Sequence, residues 1–366
     1  MKTSSTAGLR ARATSLWQGA TRHHAYDLGL LALALVVAVV FTLINPSVYA
    51  SQLNVESIAF SVPEVGLMAL AISIAMTVAG IDLSTVAVAN LSALFIAWYS
   101  AVGEAAGQGP IVSTLIAVAG ALVIGAVAGA VNGFVISRLK VAPILATLAT
   151  MQIYTGLAIA LTRGEAAYGV TAPLSEFGMG DLLGVPYVFW FFVLVVVVVW
   201  AIMTKTTFGL KATLTGASKV VSEFTGYSYS GVIVRAYVLT GVISALAGLV
   251  MVSRTASASA GYGSSYLMLA ITIAVLGGAN PFGGRVAITG AALAAVVLQL
   301  ISSGLNMVDV SAYIYQIVQG AILAGVFVVT FERQRLLQRL ARRRTAPPEP
   351  GAPQPAPSVV REKEPA

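Results

Sequence analysis

Long apolar runs separated by short polar or glycine- and proline-containing stretches dominate the chain. A membrane-spanning α-helix needs about 20 apolar residues to cross about 30 Å of hydrocarbon. Residues 58–102 are apolar over a length too great for one helix, and the charged Asp82 marks the break within them. The runs predict ten spanning helices, at 28–44, 58–79, 83–102, 111–136, 144–161, 188–203, 232–252, 266–282, 286–301 and 312–331.

Charged residues and cysteines are scarce, which narrows the class of protein. Hydrophobic residues make up 58% of the 366 residues and charged residues 10%, whereas soluble globular proteins carry about 25% charged residues. A water-soluble enzyme is therefore excluded, and we expect an all-α polytopic membrane protein, a bundle of about ten helices. With no cysteine and only two adjacent histidines, His23 and His24, we expect no metal site.

Ten helices divide into two groups of five. If the two groups are structural repeats, the odd number of helices in each group inverts one repeat relative to the other. The sequence shows no convincing internal repeat, so this inverted arrangement rests on parity alone.

The positions of lysine and arginine predict how the chain is oriented. Cytoplasmic segments of membrane proteins are enriched in these residues. If the first helix starts inside, 19 of the 21 lysines and arginines fall in cytoplasmic segments, and only Arg163 and Arg254 fall outside. We therefore predict that both termini face the cytoplasm.

Two terminal segments flank the apolar region 28–331. Residues 1–27 are predicted to be a basic cytoplasmic segment. Residues 332–366 begin with arginines and continue into a proline-rich stretch of the kind that stays disordered. We expect the arginines to bind anionic lipid headgroups. The topology then accounts for the net charge of +7 without any binding of nucleic acid.

Segment 204–231 is the largest predicted cytoplasmic loop with an ordered pattern. Ser218 is a suitable N-cap for a short helix through Thr225, and Gly226 stands at its C-terminal stop. Such a helix is either an ordinary amphipathic helix at the membrane surface or a lever that docks on a cytoplasmic partner. Composition favours neither reading. The chain contains no Gly-x-x-x-x-Gly-Lys-[Ser/Thr] phosphate loop, so we expect it to bind no ATP and no other cofactor.

Short motifs rich in glycine and asparagine are spread along residues 28–331, beginning with Ala79-Gly80-Ile81-Asp82-Leu83-Ser84. The others are Asn132-Gly133, Lys140 to Pro143, Thr147 to Met151, Gly216 to Gly226, Leu276-Gly277-Gly278, Phe282-Gly283-Gly284-Arg285, Ser303 to Asn306 and Gln316 to Gly320. In kind and in order, these motifs resemble those of the bacterial ABC-importer permeases of the ribose, xylose and galactose class.

The resemblance implies a permease subunit of the bacterial inner membrane that moves a monosaccharide by alternating access. It also implies the partners: cytoplasmic ATPase subunits that bind the ATP, an extracytoplasmic sugar-binding protein, and a second permease copy or a sister permease. Coupling to the ATPase is expected in the 204–231 loop, at Gly209, Gly216, Ser218, Lys219, Glu223 and Gly226.

The substrate class has several alternatives. The Gly-Ile-Asp-Leu-Ser form favours the sugar branch over the related branched-chain amino-acid permeases, which tend to carry asparagine at the position of Asp82. A nucleoside or a signalling sugar is an alternative within the same class of transporter. An ion-coupled secondary transporter is a rival of another class, and the few embedded acidic residues and the ordered cytoplasmic loop disfavour it.

Two charged positions within the apolar region have two readings each. Asp82, with the neighbouring Ser84, suits either the N-cap of the third helix or a role in substrate contact or coupling, and we favour the cap. Glu64 suits either the outer membrane interface or contact with sugar hydroxyls, and we favour the interface.

Uncharged polar side chains within the helices are candidates to line a path for a sugar, which needs neutral donors and acceptors. These candidates are Asn90, Thr147, Thr150, Gln152 and Asn306. The alternative is that the threonines bond to carbonyls of the preceding turn and that the amides join helices to one another.

The eighth run, from Tyr266 to Leu276, is short before Gly277-Gly278. One reading is a helix that stops early and continues as irregular backbone, which membranes tolerate only where protein or water covers it. The other is a helix that reaches the inner surface, with Gly283-Gly284 starting the next helix. We favour the second, because Arg285 needs water.

Overall fold

The computed structural model describes residues 26–218, 226–311, 313–326 and 328. The predictions for the basic N-terminal segment up to residue 25, the proline-rich tail, and a docking helix from Ser218 to Thr225 concern residues outside this set, and so do the roles of Lys219 and Glu223. Contacts group the chain into one unit that ends at Leu323 and a second that begins at Ala324.

Helices dominate the described chain. In order they are α1 Tyr26–Ile44, α2 Pro46–Tyr49, α3 Gln52–Thr77, α4 Thr85–Ala105, α5 Pro110–Arg138, α6 Pro143–Thr162, α7 Ala172–Met179, α8 Tyr187–Lys205, α9 Thr207–Ala217, α10 Tyr229–Thr255, α11 Tyr266–Leu276, α12 Ile288–Met307 and α13 Tyr313–Val326. Four two-residue strands accompany them, with β1 Ala167–Tyr168 antiparallel to β4 Ser257–Ala258, and β2 Asp181–Leu182 antiparallel to β3 Val185–Pro186.

Each of the ten apolar runs corresponds to a helix, and the all-α polytopic membrane fold is confirmed. Eight helices in the described part are long and apolar enough to cross a membrane, namely α1, α3, α4, α5, α6, α8, α10 and α12. The eighth run forms the 11-residue helix α11, too short for a full span. The tenth run is described as the shorter helix α13.

Residues with known terminal preferences set several helix boundaries. Pro110 and Pro143 lie in the first turns of α5 and α6, where the missing N–H of proline has no intrahelical partner to lose. Ser51 accepts a hydrogen bond from the amide of Asn54 and thereby caps α3. Ser228 caps α10 in the same way, by accepting from the amide of Gly231. These local contacts start the helices that the apolar runs predict.

Helices α3 and α10 form the centre of the bundle. Most of their length is buried, whereas less than a third of α5, α6 and α8 is buried and α1 has hardly any buried residue. The exposed side chains on these outer helices are mainly Leu, Ile and Val, as expected for surfaces that face lipid.

Three glycines at four-residue spacing join α5 to α10. A methyl group at Gly125 would overlap the carbonyl oxygen of Gly241, and one at Gly129 would overlap that of Tyr237. At Gly133 it would lie 2.6 Å from the Cα of Val234. The two backbones therefore approach with no side-chain layer between them, which is the small-residue packing of membrane helices.

Candidate functional site

The segment 78–84 interrupts the bundle between α3 and α4. Helix α3 ends in a Schellman arrangement, in which the amide of Gly80 donates to the carbonyl of Ala75 and the amide of Ala79 to that of Met76. Ala79 holds the left-handed position with a φ of 61°, where glycine is the usual residue. The break predicted from Asp82 is confirmed.

Asp82 organises this interruption. The carboxylate is buried, and its Oδ1 accepts from the amide of Ser84 at 3.0 Å and from the Ser84 hydroxyl at 2.6 Å. Its Oδ2 accepts from the hydroxyl of Thr240 on α10 at 3.0 Å. The Thr85 hydroxyl donates to the Asp82 carbonyl. The N-cap of α4 is Ser84, with no side-chain cap hydrogen bond, so the carboxylate of Asp82 orders the turn before the helix rather than capping it. It also binds α10, which the sequence did not suggest.

Helices α5 and α6 contact the same segment. The side-chain amide of Asn132 donates to the Ser84 hydroxyl at 2.8 Å. The Thr147 hydroxyl donates to the carbonyls of Ile81 and Pro143, at 3.0 and 2.9 Å, and the Thr150 hydroxyl donates to the carbonyl of Thr147. Both threonines are buried. Their contacts match the structural alternative, bonding to the preceding turn, and Thr147 adds a contact that fixes the break.

A second interruption follows α11. The chain is not helical over 277–287, and Gly278, Gly283 and Gly284 all have positive φ. The next helix, α12, begins at Ile288. Our preference for Gly283-Gly284 as the start of this helix is therefore wrong, because both residues adopt left-handed conformations that a right-handed helix excludes. The other part of the favoured reading, a helix that reaches the inner surface, agrees with the hydrogen bond that the last residue of α11, Leu276, accepts from Tyr26 at the start of α1.

The two interruptions meet at the last turn of α9. The amide of Gly284 donates to the carbonyl of Thr77 at 3.1 Å, and the Thr77 hydroxyl donates to the carbonyl of Arg285. Gly216 of α9 lies against both, because a methyl group there would overlap the Thr77 carbonyl and come within 2.8 Å of the Gly284 amide nitrogen. Gly216 is therefore a contact residue in the last turn of α9, and the docking helix predicted to follow it lies outside the described residues.

Other residues of the predicted coupling loop are distributed around α9. Gly209 packs so closely on the carbonyl of Met203 that a methyl group would overlap it, which holds α9 at a fixed angle to α8. Ser218 is the C-cap of α9, so its described role is to end one helix. Gly226 has a φ of 75°, the conformation that its predicted place at a helix stop requires.

The candidate path residues do not form one cluster. Gln152 is exposed at the middle of α6, and Asn306 is exposed near the end of α12. Asn90 is buried on α4, and its side-chain amide donates to the carbonyls of Ala260 and Tyr262 at 2.9 and 2.8 Å. An exposed amide midway along an apolar membrane helix is costly in lipid. The position of Gln152 therefore indicates a face of α6 that water or protein covers.

Glu64 lies inside the bundle and forms an ion pair with Arg254. Arg254 Nη1 is 2.6 Å from Glu64 Oε2, and both side chains are largely buried. The Arg254 guanidinium also lies 4.0 Å above the ring centre of Phe60. Glu64 is therefore buried in an ion pair with the end of α10, and its preferred placement at the outer interface stays a prediction. Arg254, assigned to an outer loop, is the next-to-last residue of α10.

Comparison with known proteins bears on what this arrangement does. Residues 54–327 match the family model described as branched-chain amino acid transport system / permease component. The chain belongs to this permease family. The match leaves α1 and α2 outside and includes both interruptions.

Several curated permeases are similar over most of their length. The autoinducer 2 import system permease protein LsrD of Salmonella paratyphi B is 30% identical, over 89% of this chain and 98% of its own. The LsrD protein of Escherichia coli O157:H7 is 32% identical, over 88% of this chain and 98% of its own. The ribose import permease protein RbsC of Bacillus subtilis is 33% identical, over 84% of this chain and 92% of its own. No solved structure matches the chain.

Some contacts of this permease were missed at the sequence level. Thr77 and Thr240 carry no distinguishing pattern, because their partners lie more than 150 residues away along the chain. The spacing of Gly125, Gly129 and Gly133 is a visible small-residue repeat, and this signal could have identified the α5–α10 contact.

Proposed function

We propose that this permease translocates a monosaccharide of the pentose or hexose type across the bacterial inner membrane, by alternating access driven by a separate ATPase. The relatives that support this are import permeases for ribose and for autoinducer 2, aligned over nearly their whole length. The chain itself is not an enzyme and holds no cofactor in this proposal, and its partner binds the ATP.

The contact of Gly216 with Thr77 and Gly284 carries the coupling part of the proposal. Helix α9 lies in the loop that positive-inside reasoning assigns to the cytoplasm. Its last turn touches Thr77 at the end of α3 and Gly284 in the irregular segment before α12. A displacement of α9 by a cytoplasmic partner would therefore reach both interruptions directly. Irregular backbone at these positions can rearrange without breaking a continuous helix.

The partners follow from the same proposal. Cytoplasmic ATPase subunits dock at the segment that contains α9 and Gly226, and a sugar-binding protein delivers substrate from the other side. A second permease, identical or related, covers the face of α6 that carries Gln152, so that the path runs between the two. Both termini face the cytoplasm.

Transport of other substrates, or by another energy source, gives the competing candidate functions. A signalling sugar is favoured by the LsrD relatives, and a branched-chain amino acid by the description of the family model. An ion-coupled transporter would need an acidic residue free to exchange protons or sodium. Glu64 is engaged by Arg254, and Asp82 by three donated hydrogen bonds, so neither carboxylate meets that requirement in this conformation.

Transport by the complete importer tests the proposal. The chain is purified with the ATPase and binding protein that accompany it and reconstituted in vesicles. ATP-dependent uptake of radiolabelled ribose, xylose or galactose is the expected result, with a hydrolysis-deficient ATPase as the control. Uptake of leucine but of no sugar would contradict the substrate class. Accumulation driven by a proton or sodium gradient without ATPase would contradict the energy source.

A further inference from the structure

Residues 256–265, between α10 and α11, fold back into the bundle, and we call them the re-entrant segment. The segment begins after Thr255, and its strand β4 pairs with β1. It then descends to Asn90 of α4, whose side-chain amide donates to the carbonyls of Ala260 and Tyr262. A single side chain therefore fixes the deepest part of the segment.

The contacts of α4 with α5 give the depth of this point. Ser92, two residues beyond Asn90, donates to the carbonyl of Ala121. Ala121 lies 11 residues after the start of α5 at Pro110 and 17 before its end at Arg138. At 1.5 Å per residue, these are about 16 Å and about 26 Å along the helix. The re-entrant segment thus reaches the middle third of the longest membrane helix described.

The short length of α11 agrees with this depth. Its 11 residues rise about 16 Å, half of a hydrocarbon core. Its far end lies near the beginning of α1, where the Tyr26 hydroxyl donates to the carbonyl of Leu276 at 2.7 Å. Helix α11 therefore crosses one half of the membrane, and the re-entrant segment crosses the other half without being helical.

Part of this non-helical backbone is exposed at the surface of the described protein. Gly261, Ser264 and Ser265 are exposed, and they lie beside the fixed point at Asn90. Backbone without internal hydrogen bonds does not face lipid, because each unsatisfied group costs several kcal/mol there. Water or protein must cover this surface, and exposed serines favour water.

Two tyrosine rings border the exposed residues. Tyr262 and Tyr266 are partly buried, with ring centres 6.4 Å apart and planes at 85°. Within the described part of the chain, neither phenol hydroxyl makes a hydrogen bond to another residue. The pair therefore offers aromatic faces together with two available donor groups.

A neutral polar cluster lies behind these rings. The Glu64–Arg254 ion pair cancels its own charge, and Phe60 lies under the guanidinium. Among the described residues, Glu64 Oε1 and Asn90 Oδ1 are buried acceptors without a hydrogen-bond partner. Such groups leave acceptor capacity for a ligand or water. The surroundings of the re-entrant segment are thus polar and aromatic, with a balanced charge.

We propose that the re-entrant segment, with Tyr262, Tyr266 and the exposed Ser264 and Ser265, forms a recognition subsite for a neutral polyhydroxylated solute midway through the membrane. The C–H face of a sugar ring packs on an aromatic ring, and its hydroxyl groups exchange hydrogen bonds with phenol and serine hydroxyls. Arg254 of the Glu64–Arg254 pair lies two residues before the segment. This inference rests on the proposed function and adds to it where the sugar is recognised.

The absence of cysteine from the chain allows a direct test by thiol labelling in the complete importer. A charged, membrane-impermeant reagent modifies the thiolate in water but not a thiol in lipid. We expect Ser264→Cys and Ser265→Cys to be modified, and a transported sugar to slow the modification at least about fivefold. Val123→Cys is the matched control, because Val123 is exposed on α5, two residues from Ala121, and faces lipid in this account. We expect it to stay unmodified.

Transport kinetics provide the second measurement. Tyr262→Leu and Tyr266→Leu should each raise the KM for sugar uptake about five- to tenfold, which corresponds to the loss of one hydrogen bond or stacking contact. ATPase association should not change. Tyr168→Leu is the control, since Tyr168 is an exposed tyrosine of β1 outside the segment.

The outcomes distinguish a failure of the proposed subsite from a failure of the proposed function. If the unchanged importer takes up sugar but the thiols at 264 and 265 are unreactive, or react without protection by sugar, the subsite is overturned and the function stands. Unchanged KM values in both tyrosine variants would overturn it as well. If the unchanged importer takes up no sugar, the proposed function fails, and the assignment of a sugar to this segment fails with it.

Discussion

The amide nitrogen of Gly284 donates a 3.1 Å hydrogen bond to the carbonyl oxygen of Thr77. This bond joins the end of α3 to the irregular segment that precedes α12, across more than 200 residues of sequence. Gly216 packs on the same two residues from α9. The three backbones are so close at this point that any side chain at position 216 would push them apart.

Gly216→Ala tests whether this junction transmits motion. The added methyl group overlaps the Thr77 carbonyl, and overpacking of this kind costs about 1–3 kcal/mol. We expect ATP-driven uptake to fall about tenfold or more while the protein still inserts in the membrane. Gly29→Ala is the control, because nothing lies within 4 Å of a methyl group there. Normal uptake by Gly216→Ala would show that the junction plays no part in coupling.

The variant Gly226→Val tests the predicted docking segment, because it disturbs only the backbone conformation there. Nothing lies within 4 Å of a methyl group at Gly226, but its φ is 75°, and a left-handed conformation costs an L-residue about 1–2 kcal/mol. We expect normal amounts of permease that copurify poorly with the ATPase and support little transport. Gly226→Asn should retain association, since asparagine tolerates this conformation. Equal association of both variants with the ATPase would refute the predicted role.

Gly129→Val should destabilise the bundle rather than the coupling. Its side chain would overlap the carbonyl of Tyr237 on α10, so α5 and α10 must separate. We expect a free energy of unfolding lower by about 1–3 kcal/mol or more, measured as thermal unfolding in detergent. Gly109→Ala, at an open position before α5, should leave the midpoint unchanged. A normal midpoint for Gly129→Val would mean that the helices are not in contact there.

The Glu64–Arg254 pair predicts a non-additive mutant cycle. Glu64→Leu or Arg254→Met alone leaves one charge buried, which costs about 3–5 kcal/mol. The double variant removes both charges, so we expect it to recover most of the stability lost by either single variant. Thermal unfolding of the four proteins measures this. Additive losses would show that the two side chains are not paired.

The topology predicts the location of two reporter sites. Fusions after Lys219 and after Arg344 should both report the cytoplasm, because the charge distribution places nearly all lysines and arginines there. A fusion after Arg163 provides the external control. An external signal at either of the first two sites would overturn the assigned orientation.

The sequence was most informative where a local property decides the structure. Apolar runs located the membrane helices because lipid enforces their length and composition, and Asp82 located the first interruption because a charge is costly within a span. The ends of α10 and α11 were misjudged. Arg254 looked like a loop residue until its partner Glu64, 190 residues earlier, was known.

The candidate site depended more strongly on tertiary contacts. Thr147 and Thr150 share a helix face with the right chemistry for a path, yet their hydroxyls bond to backbone carbonyls. The re-entrant segment carries tyrosines and serines that no periodicity distinguishes from a surface loop. Its depth follows from tertiary contacts, chiefly those of Asn90, whose two acceptors lie about 170 residues away.

The glycine contacts between α5 and α10 also limit how this molecule can deform. Two helices whose backbones touch at Gly125, Gly129 and Gly133 cannot slide past each other or tilt apart without losing all three contacts together. The two helices therefore move together as one rigid body. Segment 78–84 is tied to this pair by Thr240 and Asn132, so it moves with the pair. The non-helical backbone at 277–287 then supplies the hinge at which the rest of the bundle can change its angle to the pair.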